Sequence, residues 1–242
     1  MNSKEITRHI YIENDRFWGE YDEDVIFDII RNIERDFSLC LGKPNDKLCT
    51  LKHIDTGPKC VDKQDSHIIY LSVKEDYWCQ WIYQFAHEYC HHLINGTMSG
   101  EIKGLLWFEE TICEVSSLFH LTMFYHRCLV SPLLFHYAQA VQDYLHDLHL
   151  KNYPLVEIFR RESLSQWGDL LKEPNYHRDI YNAIAVSILP FFFQDPKLWK
   201  MILHFGDMRK WNSLDELFDH LLCSATDDYR QSLLCLKNLL IP

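Results

Sequence analysis

Apolar positions recur along this chain with two different periods. In the first part they alternate with polar ones. His9 to Glu13 (HIYIE), Cys49 to Ile54 and, most clearly, His67 to Val73 (HIIYLSV) read as strands. Between the first two, Val25, Ile29, Ile33 and Phe37 fall four residues apart. That spacing predicts an amphipathic helix over Tyr21 to Leu41, closed by Gly42 and Pro44. Gly57 to Asp65 is polar and reads as a connection. From Tyr77 onward the period becomes helical. Helices are predicted over Tyr77–Ile94, Leu105–His126, Leu133–Leu150, Leu155–Leu171 and Tyr176–Phe193, and in pieces over Ser213–Leu240. Gly96 to Gly104 holds three glycines and reads as a flexible loop between the first two of these.

Strands with helices come first, and helices alone follow. That order predicts an α+β fold: a small N-terminal sheet with helices, then an all-helical half, packed around one cleft. We expect a single domain over 1–242. Its first lobe, 1–95, ends in the helix Tyr77–Ile94, and a helical lobe covers 105–242. No internal repeat or linker-like stretch interrupts it.

Composition narrows the function classes. The chain has 242 residues, 47% of them hydrophobic, enough for a large core without staples. Its formal charge of −11 argues against a nucleic-acid partner, which would call for clustered Lys and Arg. The longest largely apolar run, Ala183 to Phe193, is too short to span a bilayer and contains Pro190, so no membrane partner is expected. The first residues, MNSKEITRHIYIEND, lack the apolar core of a secretory signal. The nine cysteines form no CxxC pair, and most, such as Cys79, Cys90, Cys113 and Cys128, sit in apolar stretches as small hydrophobes. The expectation is a reduced, cytoplasmic protein.

The candidate chemistry lies at His87-Glu88-Tyr89-Cys90-His91, an HExxH sequence on a predicted helix. Helical spacing puts His87 and His91 one turn apart on one face, where both imidazoles can reach a single metal ion. Glu88 lies about 100° around the helix and can address water at the metal without being a ligand. Trp78, Ile82, Phe85, Tyr89 and Leu93 form an apolar stripe nearly opposite the two histidines. Cys90 reads as core packing, and His92 as a residue at the margin of the site or exposed. In the next helix Phe108, Ile112, Val115 and Phe119 form the apolar stripe, and Glu110 and Glu114 share the opposite face. A catalytic zinc site of two histidines needs a third protein ligand and an open position. Glu110 is the candidate ligand. Glu114, one turn on, is the candidate acceptor for the N–H of a ligating imidazole. Two histidines and a carboxylate also suit non-haem iron, but a glutamate in the base position fits hydrolysis and so favours Zn²⁺.

Eighteen residues separate His91 from Glu110, and Glu110 closes the sequence Trp107-Phe108-Glu109-Glu110. This HExxH-x18-E arrangement resembles that of the gluzincin metallopeptidases, in particular the zinc aminopeptidases, which carry W-x-N-E at the third ligand. The Glu110 and Glu114 spacing resembles the E-x-x-x-D pair of thermolysin-like enzymes. The resemblance covers roughly residues 66 to 120. It implies a gluzincin catalytic domain, zinc held by His87, His91 and Glu110, and Glu88 as general base. It also implies that His67–Val73 is an edge strand binding extended peptide by β-augmentation. A Tyr or His from the helical half would stabilise the oxyanion, and Tyr176, His177 and Tyr181 are the candidates. Glu109 stands where the aminopeptidases have Asn, and no G-x-M-E-N-like stretch precedes the motif, so cleavage from a free amino terminus is not implied.

The leading expectation is zinc-dependent hydrolysis of a peptide or protein substrate. The alternative is a catalytically silent zinc- or peptide-binding protein that retains the fold. A third reading is a helical interaction protein in which HExxH is coincidental.

Overall fold

The computed structural model describes residues 3–43, 45–63, 66–94, 104–162, 171 and 177–241. The chain is a mixed α+β protein that divides into two compact units, Met1–Ser99 and Gly100–Pro242.

The first unit is built on a five-stranded sheet. Its strands are β1 (Ser3–Glu5), β2 (Ile10–Glu13), β3 (Leu48–His53), β4 (Lys59–Lys63) and β5 (Ser66–Leu71). Their order across the sheet is β1-β2-β3-β5-β4. The central three run parallel, and β1 and β4 are antiparallel to their neighbours. The alternation read in the sequence is the pleat itself. Ile10 and Ile12 on β2, Cys49 and Leu51 on β3, and Ile69 and Leu71 on β5 all point to the buried face. Register aligns them into rows, with Ile10 beside Cys49 and Leu51 beside Ile69.

Two expectations fail here. Gly57–Asp65 is not merely a connection, because Lys59–Lys63 is a strand paired to β5. With only Cys60 buried among its five residues, that strand carries no local alternation to read. Consequently His67–Val73 does not supply an edge strand. Its strand, β5, is hydrogen-bonded on both sides, by β3 and by β4, so it has no unpaired edge to offer a peptide. The edges of the sheet are β1 and β4.

Helix α1 (Glu23–Leu41) enters through Asp22, whose side chain accepts from the Val25 amide, and leaves through Gly42 in the left-handed conformation. Helix α2 (Trp78–Ile94) packs on α1 and β5. Phe37 of α1 meets Tyr89 of α2, and Trp18 stacks on Trp81 with centroids 4.9 Å apart.

The second unit is helical. Its elements are α3 (Leu106–Val130), α4 (Ala138–Glu162), α5 (Arg178–Gln194), a 3₁₀ segment over Pro196–His204, α6 (Leu214–Ser224) and α7 (Asp227–Leu240). Helices α3, α4 and α5 pack on one another. The core around the start of α3 is aromatic, with Phe108 within 5.9 Å of both Phe205 and Phe218. Helix α4 is one continuous element where two were predicted. The remainder of the second prediction, beyond Glu162, lies outside the described residues apart from Leu171. Gly104 precedes α3 with φ +58°, and a Cβ there would sit 2.9 Å from the Met208 carbonyl. Only glycine lets the chain enter α3 beside that strand of backbone. No disulfide joins the nine cysteines. Among the described residues no helix is long and apolar enough to cross a membrane.

Candidate metal centre

Helix α2 carries the HExxH residues, and it is more deeply enclosed than its stripe suggested. Every residue from Trp81 to Ile94 is buried except Gln84. His87, Glu88 and His91 are therefore withdrawn from solvent along with the aromatic stripe. Their one-turn spacing sets the His87 and His91 rings edge to face, with centroids 5.1 Å apart. An imidazole ligates a metal through a ring nitrogen that carries no proton.

In the second unit, α3 is buried from Leu106 through Leu121. Glu109, Glu110 and Glu114 are all buried. So many carboxylates in an apolar helix require partners, and two of those of Glu114 come from α5. Arg178 Nε donates to Glu114 Oε1 at 3.2 Å, and Asn182 Nδ2 donates to Oε2 at 3.4 Å. Neither Arg178 nor Asn182 was singled out in the sequence. Cys113, expected as a small core hydrophobe, is buried on α3 three residues after Glu110. Its thiol is chemically a metal donor as well.

Of the oxyanion candidates, Tyr176 lies outside the described residues. His177 caps the start of α5, and its Nε2 is buried with no hydrogen-bond partner among the described residues. Tyr181 is fully buried one turn into the same helix. Burial holds its phenol above the usual tyrosine range, and the nearby charge of Glu110 adds to the effect, so it stays a protonated donor.

His92 is not exposed. It is 2% accessible, and its Nδ1 lies 2.7 Å from Nδ1 of His67 on β5. Sequence spacing could not reveal this pair, because its members sit on different elements 25 residues apart.

The chain matches no protein-family model, no curated protein and no solved structure.

Proposed function

We propose that this protein is a zinc-dependent hydrolase of peptide bonds with a gluzincin-like catalytic domain. The observation that carries the reading is the buried, one-turn His87 and His91 pair with Glu88 beside it on α2. Imidazole nitrogens, with a carboxylate or thiolate as third donor, are the donor chemistry Zn²⁺ takes. We assign the third position to Glu110 on the motif spacing. Cys113 is its competitor, being likewise buried on α3.

When bound, zinc supplies Lewis-acid chemistry, polarising a carbonyl and acidifying water. Glu88 takes a proton on its carboxylate and returns it to the leaving amine. His177 and Tyr181 are the donors on α5 for negative charge developing on the carbonyl oxygen, with Tyr181 kept protonated by its burial. Glu114, braced by Arg178 and Asn182, is the carboxylate that orients a ligating imidazole.

The test is cleavage of a peptide library by the zinc-loaded protein and by Glu88→Gln. Turnover in the wild type, lost at least 100-fold in the variant while zinc stays bound, is the expected result. Stoichiometric zinc with no turnover in either protein would favour the silent binding protein instead.

A further inference from the structure

Among the described residues of the five strands, one buried side chain is polar. Cys49 and Ile69 are apolar and fully enclosed, while His67, paired in register with Cys49 on the same face, is 1% accessible. An imidazole in such a place costs several kcal/mol unless its nitrogens are hydrogen-bonded. Both are. Nε2 lies 2.6 Å from Lys47 Nζ, with an Asp62 carboxylate oxygen 3.6 Å away, and Nδ1 lies 2.7 Å from His92 Nδ1. An ammonium has no lone pair, so Lys47 donates to Nε2. His67 then carries its proton on Nδ1 and donates it to His92. The His92 ring is stacked on Tyr89, and its Nε2 is 2.5 Å from the Asn45 side-chain amide. Thus α2 is tied to β5 by a directed hydrogen bond at the residue immediately after His91.

A second tie lies eight positions earlier on the same helix. Gln84 Oε1 accepts from the backbone amides of Ser72 (2.9 Å) and Val73 (3.2 Å), which directly follow β5. Its Nε2 donates to Ser72 Oγ at 3.1 Å. Gln84 and His92 therefore bracket His87 and His91, and both reach the same strand and its exit. One tie would leave α2 a pivot. Two fix its rotation and its register along β5. Apolar packing alone is less directional, and donor groups need placing to within about 0.5 Å for a metal to be held well.

We infer that His67 and Gln84 are positioning residues that lock α2 onto β5 and so set the geometry of the His87 and His91 imidazoles for a metal ion. This rests on the metal-site reading above.

The test uses the full chain and two readouts: zinc affinity by chelator competition, and the visible absorption spectrum after cobalt substitution. His67→Leu should bind zinc about 10-fold more weakly and alter the cobalt bands. His67→Gln, which keeps a donor toward His92, should recover most of the affinity and the wild-type spectrum. Should His67→Leu fail to fold, Gln84→Leu at the partly exposed tie carries the same expectation. Leucine variants with wild-type affinity and an unchanged cobalt spectrum would overturn the positioning role, even if their melting temperatures fell. A wild type that binds neither zinc nor cobalt would overturn the metal site itself, and this inference with it.

Discussion

Glu114 is a fully buried carboxylate whose recorded partners sit 64 and 68 positions later in the chain. Removing one partner of a buried charge leaves the desolvation cost uncompensated. Arg178 is half exposed, which softens the effect, so Arg178→Ala should cost about 1–3 kcal/mol in urea unfolding. By contrast, Lys237→Ala, which removes pairs with exposed Asp215 and Asp219, should cost under about 1 kcal/mol. His67 gives a pH signature. Burial, reinforced by the Lys47 charge, lowers its pKa from 6.5 to about 4. Below pH 6.5 the unfolded chain binds a proton that the folded one refuses, so stability falls as pH drops toward 4. Between pH 7 and pH 5 this residue should account for about 2 kcal/mol of lost stability, and His67→Gln should flatten the curve by that amount. None of these partnerships was legible in the sequence. The one-turn pairing of His87 and His91 was, because it follows from helical spacing alone, whereas Arg178, Asn182 and His67 act through contacts that no local pattern encodes.

Elements with a local signal were read well. Helix α1 was expected over Tyr21 to Leu41 and forms over Glu23–Leu41, because its apolar spacing, cap and terminal glycine agree. Asp22→Ala should therefore cost about 1 kcal/mol in thermal or urea unfolding. Gly42→Ala should cost a similar ~1 kcal/mol from its positive φ alone, since nothing lies within 4 Å of the added Cβ. Gly104→Ala should cost more than Gly42→Ala, because its Cβ meets the Met208 carbonyl as well. Strand β4 was missed because an edge strand with one buried residue is defined by its partner and not by its own pattern. With β4 paired to it, β5 is not the edge strand that the resemblance implied. In α2 the sequence set His87 and His91 opposite the apolar stripe, and Glu88, His87, His91 and His92 are all buried along with it. Hydrophobic periodicity reads polar as exposed, and a buried polar site is where that rule fails.

At the scale of the whole molecule, the change from mixed elements to helices alone was visible in the sequence, and the boundary between the two compact units falls within the glycine-bearing stretch 96–104. A ligand that binds only the folded chain stabilises it by mass action, by about 2.7 kcal/mol at 100 times its dissociation constant. Zinc should accordingly raise the melting temperature of the wild type and leave that of His87→Ala nearly unchanged. The most direct measurement is metal content by mass spectrometry on the purified wild type, Glu110→Ala and Cys113→Ala after zinc loading. About one zinc per chain is expected in the wild type and in Cys113→Ala, with clear loss in Glu110→Ala. Loss in Cys113→Ala alone would move the third ligand to the thiolate, and no zinc in the wild type would contradict the metal centre altogether.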